Sequence, residues 1–191
     1  MNKIILASGS PRRKQLLDLA EIPFEVIISD IDESFPLGLS ANEVAIHIAE
    51  NKALAVRANL FKHNADAQTI IAADTLVVLE NEIIGKPKDR QDAIAILSSL
   101  SGKTHKVITG VCIVSAEKKI NFAEETEVEF YPLANAQIEY YVDNYKPFDK
   151  AGAYAIQEWI GATGIKSIKG DFYNVMGLPI SRLVRELKKQ L

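Results

Sequence analysis

Cysteine is nearly absent from this sequence. Cys112 is the only one in 191 residues, so no intrachain disulfide can form. It lies in an apolar run with Val111, Ile113 and Val114 and reads as an inert buried thiol. A chain without disulfides suits a reducing cytoplasm, which is the expected location. Long hydrophobic runs are also missing, so no segment approaches a membrane span. Met1-Asn2-Lys3 and the apolar residues 4–7 have the outline of a signal peptide, but the apolar part is too short and Pro11-Arg12-Arg13-Lys14 ends it. Neither sign of charge dominates: 22 Lys and Arg against 25 Asp and Glu leave a net charge of −3. That gives no general attraction to nucleic acid or an anionic membrane, and neither is expected as a partner. His47, His63 and His105 have no metal-site spacing with one another or with Cys112. There is no Walker-type loop, no dinucleotide glycine fingerprint, no arguable Ser-His-Asp set and no internal repeat. What remains is an ordinary globular composition, 48% hydrophobic and 25% charged, sized for one domain over 1–191 with room for two lobes.

A small anionic ligand needs a local basic site, and the first residues offer one. Ile4-Ile5-Leu6-Ala7 reads as a short buried strand. Ser8-Gly9 lets the backbone turn tightly, Ser10 is a preferred helix N-cap, and Pro11 suits the first helical position. Leu16, Leu17 and Leu19 then carry the apolar face of a helix. Arg12 and Arg13 fall in its first turn, where the macrodipole makes each cation cost about 0.3–1 kcal/mol. An anion bound at the turn accounts for that cost, because free N–H groups and two arginine forks make a phosphate cradle. A solvated basic turn is the alternative; the strand–turn–helix context favours the cradle.

Further along, 24–28 reads as a second strand leading into the acidic loop Asp30-Ile31-Asp32-Glu33-Ser34, closed by Pro36. Such a loop is either solvated or, beside a phosphate site, able to hold Mg²⁺, and both readings stay open. Ser40-Ala41-Asn42-Glu43 is a capping box that starts a long helix. Its apolar stripe comprises Val44, Ala45, Ile48, Ala49, Ala55 and Val56, with His47 and Glu50 on the other, surface side. Lys52 falls in the middle of the stripe. It either snorkels to water or points into a cleft where an anion meets it, and the cleft is the expectation. Residues 69–73 and 76–79 read as one buried strand interrupted by Asp74-Thr75. A carboxylate there is partly desolvated, and no turn signal explains it, so a functional role is expected.

Glu80-Asn81-Glu82 predicts a hairpin turn, and Gly85-Lys86-Pro87 pins a lysine suited to a phosphate contact. Asp89 is expected to cap a helix ending near Leu100-Ser101-Gly102. Residues 106–115 and 120–131 read as an antiparallel pair joined around Glu117-Lys118-Lys119, the second strand wet on one face at Glu127-Val128-Glu129-Phe130. Asn135 is expected to cap a helix carrying Ile138, Tyr141 and Val142. Residues 147–157 read as a loop rich in small residues and ending at Gln157. Gly170-Asp171 marks a turn, 172–176 a short strand, and Gly177-Leu178-Pro179 the entry to a last helix. Ile180, Leu183, Val184 and Leu187 form that helix's apolar face; Arg182, Arg185, Lys188 and Lys189 read as its solvated side.

Taken together, Ser8-Gly9-Ser10-Pro11-Arg12-Arg13, Asp32-Glu33, Glu50-Asn51-Lys52-Ala53, Ala73-Asp74-Thr75, Gly85-Lys86-Pro87, Leu100-Ser101-Gly102-Lys103-Thr104-His105 and 150–157 resemble the Maf family of nucleoside triphosphate pyrophosphatases. The blocks occur in order over nearly the whole chain. The resemblance implies an elongated, two-lobed α/β fold akin to the inosine-triphosphate pyrophosphatases, with a mixed central sheet and a cleft between lobes. It implies hydrolysis of a small-molecule nucleoside triphosphate to the monophosphate and pyrophosphate with a divalent metal cation, Mg²⁺ or Mn²⁺. Arg12, Thr75 and Gln157 match the branch acting on dTTP and UTP rather than the 7-methyl-GTP branch. Glu158-Trp159 follows Gln157 where many members have glycine, a departure that bears on the base pocket.

The expected roles follow. Ser8, Ser10, Arg12, Arg13, Lys52 and Lys86 bind the phosphates. Glu33 and Asp74 hold the metal, and Asp74 also activates the attacking water. Arg12, Thr75 and Gln157 select the base. Family members often form homodimers, so a homodimer is a possible partner state. A nucleotide-sensing inhibitor of cell division (septum formation), or a house-cleaning enzyme for modified or 7-methyl-GTP-type nucleotides, are the competing classes.

Overall fold

The structure is a computed structural model describing residues 4–61, 68–115 and 118–189, with only the backbone of Phe61 described. Residues 1–3, His63 and Glu117, which enter the sequence expectations above, lie outside the described residues. Among the described residues seven strands form one mixed sheet. They are β1 (Ile4–Leu6), β2 (Phe24–Val26), β3 (Thr69–Leu79), β4 (Glu82–Ile84), β5 (Thr104–Val114), β6 (Lys119–Phe130) and β7 (Ile165–Lys169). The order is β2-β1-β3-β5-β6-β7, with β4 on β3. β1 pairs in parallel with β2 and β3, while β3/β4 and β6/β7 are antiparallel. The helices are α1 (Pro11–Leu19), α2 (Ala41–Phe61), α3 (Arg90–Leu100), α4 (Asn135–Tyr145), α5 (Trp159–Gly164), α6 (Phe172–Met176) and α7 (Ile180–Lys188). The fold is mixed α/β, and no described helix is long and apolar enough to cross a membrane.

The chain divides into two compact units, Met1–Thr75 with Thr109–Glu124 and Gly177–Leu191, and Leu76–Ile108 with Glu125–Met176. β3, β5 and β6 each run from one unit into the other. In the first unit α2 lays its apolar face on the sheet. Ala49, Ala53 and Val56 pack with Ile5, Ala7, Ile70, Ala72, Cys112 and Val114. Burial pushes the Cys112 thiol up to about 12, with Glu50 adding to the rise, which fits an inert thiol. In the second unit His105, Phe130 and Tyr154 form an aromatic cluster, with ring centroids 5.1–5.5 Å apart.

The local signals hold where a side chain satisfies the backbone nearby. Ser40 and Glu43 make the reciprocal capping bonds, with Ser40 N–H to Glu43 Oε2 at 2.8 Å and Glu43 N–H to Ser40 Oγ at 3.4 Å. Asp89 caps α3 by accepting from Asp92 N–H at 2.9 Å. The β3–β4 hairpin turns on Glu80 and Asn81, both at positive φ (51° and 72°), as a two-residue primed turn requires.

Five expectations are corrected. Residues 172–176 form α6, not a strand: Asp171 accepts Tyr173 N–H at 2.8 Å, and this cap overrides the β propensity of the aromatic and branched residues. α4 starts at Asn135 with Ala134 in the cap position, because the Gln137 side-chain oxygen Oε1 accepts Ala134 N–H at 2.9 Å. Leu19 is 63% exposed, since the buried face of α1 runs through Arg13, Leu16 and Leu17. On α2, Ala53 is buried and Ala55 half-buried, and Glu50 is no solitary surface residue but pairs with Lys119 and Asn121. Arg182 is likewise not simply solvated. Its guanidinium donates to Ala123 O (2.9 Å) and Glu124 Oε2 (2.8 Å) and lies 4.4 Å from the Phe122 ring centroid.

Candidate active site

The site is built on the first unit, from the end of β1. Ala7 N–H donates to Ile71 O at 2.8 Å, keeping the chain on the sheet until Ser8, where it turns into α1. The buried Ser8 Oγ accepts from Ser10 N–H (3.3 Å) and from Arg13 Nη1 (2.9 Å). Ser10 occupies the cap position of α1, but its own side chain makes no capping bond.

Arg13 sits among Leu16 and Leu17 on the inner face of the helix at only 9% exposure. Besides Ser8, it donates from Nε to Gly177 O (2.8 Å) and from Nη2 to Thr75 Oγ1 (3.1 Å). Thr75 Oγ1 also meets Thr109 Oγ1 at 3.0 Å. One guanidinium thus ties the Ser8 turn, β3 and the entry to α7, and reaches β5 through the threonine pair. Gly177 holds φ at 115°, a conformation that strains any residue with a Cβ. Burial pulls the Arg13 pKa down from its ordinary value, against the opposing charges of Asp74 and Glu33. Three of the five guanidinium donors are taken by the protein. Arg13 is thus a tie within the fold, and its neighbour Arg12 is exposed or half-buried at the start of the helix.

Asp74, buried in β3, faces Lys52 from α2, with Nζ 2.7 Å from Asp74 Oδ1. The same Nζ lies 2.7 Å from Glu33 Oε1, so one ammonium bridges two carboxylates. Lys52 and Glu33 line a partly open cavity of about 220 Å³ together with Ser8, Gly9, Ile28 and Asp30. Lys52 therefore reaches a cleft in this unit, as its place in an apolar stripe predicts. Of the acidic loop, Asp32 turns back on Ser34, accepting from its N–H (2.9 Å) and Oγ (2.8 Å), and its pKa is lowered by those bonds. Only Glu33 of that pair meets Lys52.

The fit of a divalent cation follows from the donors. Among the described residues no cluster of three or more His, Cys, Asp or Glu is placed to hold a metal by protein ligands alone. The two hard carboxylates of Glu33 and Asp74, near the Ser8 turn, fit Mg²⁺ or Mn²⁺, ions that take one or two carboxylates and complete their shell with water or ligand oxygens.

The second unit carries Lys86, exposed in the segment after β4, and Gln157, exposed at the end of the small-residue segment. Sequence reasoning missed Thr109 and the Gly177 carbonyl. Thr109 had a readable signal, a hydroxyl interrupting the apolar run of β5 as Asp74 interrupts β3. A backbone carbonyl has no such signal.

A family model described as Maf-like protein matches residues 3–190. A Parabacteroides distasonis protein named dTTP/UTP pyrophosphatase is 49% identical over 187 residues, covering 97% of this chain and 95% of its own. Proteins of the same name from Cytophaga hutchinsonii (50% identical; 97% and 83% covered) and Bacillus cereus (48%; 99% and 96%) match over similar lengths. Among solved structures, the Staphylococcus aureus Ham1 protein is 16% identical with a TM-score of 0.43, covering 68% of this chain and 72% of that one.

Proposed function

We propose that this chain, which belongs to the Maf-like family, is a nucleoside triphosphate pyrophosphatase hydrolysing dTTP and UTP to the monophosphate and pyrophosphate. The observation that carries the chemistry is Lys52 held 2.7 Å from both Glu33 and Asp74 at the edge of the Ser8 cavity. The choice of substrate is supported by near-full-length likeness to proteins named for it.

In this reading water attacks the α-phosphorus, the α–β bridging bond breaks, and pyrophosphate leaves. Asp74 orients that water and takes its proton at a carboxylate oxygen. An ammonium has three N–H donors; two of those on Lys52 meet Glu33 and Asp74, and the third donates to a phosphate oxygen. Ser8, Ser10 and Arg12 take further phosphate oxygens at the α1 N-terminus, where the helix dipole favours an anion. Arg13 adds its charge while holding the turn in shape. Lys86 is assigned to phosphate as well. Glu33 and Asp74 would hold the divalent cation, which when bound supplies charge neutralisation at the phosphates.

Arg12, Thr75 and Gln157 are assigned to the base. A uracil or thymine edge offers one N–H between two carbonyls, and a glutamine amide complements a donor–acceptor pair. We place the enzyme in the cytoplasm, acting as one domain over 1–191, with a homodimer as its possible state. Pyrophosphate release across normal and modified triphosphates, with Mg²⁺ and Mn²⁺, tests the proposal. Release from dTTP and UTP above all others is expected; no release from any nucleotide overturns it in favour of a nucleotide-sensing regulator.

A further inference from the structure

We infer that Tyr141 and Glu158 clamp the turn that presents Gln157, and so act as positioning residues for base selection. This rests on the reading above that Gln157 contacts the base. Residues 155–158 form a turn closed by Glu158 N–H donating to Ala155 O at 3.1 Å, with Ile156 and Gln157 at its centre. Ile156 is buried and Gln157 exposed, so the turn keeps its apolar side chain inside and offers the amide outward.

Both ends of this turn meet one hydroxyl. Tyr141, fully buried on α4, accepts the Ala155 N–H at 3.1 Å and donates to Glu158 Oε2. A hydroxyl bonded to a carboxylate is a charge-assisted contact, stronger than a neutral one. The other Glu158 oxygen faces Lys150 Nζ at 3.6 Å, and that nearly buried ammonium is paired at 2.8 Å with Asp149.

The back of the turn is fixed as well. Glu158 O accepts the N–H groups of Gly161 and Ala162, starting α5 directly after the turn. Gly161 then lies so close to the turn that a Cβ on it would stand 1.8 Å from Ile156 O. The first residue of the turn, its last residue and its backbone are therefore held, and only the Gln157 side chain is left to meet a ligand. This gives a physical role to the glutamate that departs from the family's usual glycine after Gln157. Its carboxylate is one of the two attachments to Tyr141.

The test compares kcat/KM for UTP and CTP, whose bases differ at the edge a glutamine amide reads, in Q157A, Y141F, E158A and E158Q. Q157A lowers the UTP-over-CTP preference. Y141F and E158A lower it by about threefold to tenfold, the scale of losing one or two such bonds, through a higher KM for UTP at near-constant kcat. E158Q, which still accepts the Tyr141 hydroxyl, restores most of the preference lost in E158A. If Y141F fails to fold, the half-exposed Glu158 variants carry the test alone. Wild-type preference in Y141F and E158A, alongside a lowered one in Q157A, overturns the clamp and leaves the base reading standing. Wild-type preference in Q157A overturns the base reading and the clamp with it.

Discussion

Replacing Lys52 with methionine removes the ammonium and keeps an apolar stem of similar length. In the native protein Glu33 Oε1 and Asp74 Oδ1 each lie 2.7 Å from Nζ, so the two oxygens stand at most about twice that distance, roughly 5.4 Å, apart. At an effective dielectric of about 20 the repulsion between two such charges is about 3 kcal/mol at that widest separation, offset by the ammonium in the native protein and left uncompensated in K52M. The Glu33 side chain is 47% exposed, against 12% for Asp74, so solvent screening lowers the figure towards about 1 kcal/mol. For a chain of this length each kcal/mol moves the melting temperature by about 2–4 °C, so K52M is expected to melt about 2–12 °C below the native protein. Two carboxylates without their ammonium also make a better cation site. Added Mg²⁺ should therefore raise the K52M melting temperature more than it raises that of the native protein. Pyrophosphate release should fall by about a hundredfold or more, the scale of losing one charge-stabilising donor from an active site. Thermal melts with and without Mg²⁺, run beside a pyrophosphate-release assay, read all three effects. A K52M protein that melts with the native one, ignores Mg²⁺ and turns over UTP at the native rate refutes the bridge as the centre of the site.

Three further outcomes are expected. D74N should lose about 10²-fold to 10⁴-fold in turnover while still binding a non-hydrolysable UTP analogue, measured by calorimetry; near-native turnover removes Asp74 as the base. G110A should be destabilised by about 1–3 kcal/mol or more in urea unfolding, because its Cβ would stand 2.2 Å from the Ala45 carbonyl carbon, which can retreat only if α2 shifts; an unchanged midpoint contradicts that packing. Burial pulls the His105 imidazole down to about 4. An unfolded histidine takes its proton near 6.5. Between those values the unfolded chain binds more protons, so native stability declines as pH falls through that window, by about 3 kcal/mol in all. H105Q, which keeps a hydrogen-bonding partner for Tyr154, should lack that part of the acid slope. Equal slopes in urea titrations of the two proteins count against the burial argument.

The sequence signals that survived are those whose physics is local. The Ser40/Glu43 box, the Asp89 cap and the Glu80-Asn81 turn are each settled by bonds spanning four residues or fewer. Asp74 was legible for another reason: a carboxylate inside an apolar strand has no cheap structural explanation, and the structure gives it Lys52. What could not be read depends on partners far along the chain. The 172–176 segment has strand-like residues, yet Asp171 is fixed at its start by Thr126, 45 positions away, and the cap then starts a helix.

The two arginines show the limit most clearly. Arg12 and Arg13 are adjacent, chemically identical and equally misplaced against the helix dipole, so dipole reasoning treats them alike. They differ in helical phase. Arg13 is three and four positions from the buried Leu16 and Leu17, which sets it on the inner face, where Gly177 O, Thr75 and Ser8 meet it. Leu19, 63% exposed, lies off the buried face that Arg13 shares with Leu16 and Leu17. A guanidinium on that inner face demands acceptors within the fold before it can serve a ligand. The cost of an arginine at a helix N-terminus is met, for Arg13, by the fold's own oxygens at Ser8, Thr75 and Gly177, which makes its placement a matter of folding.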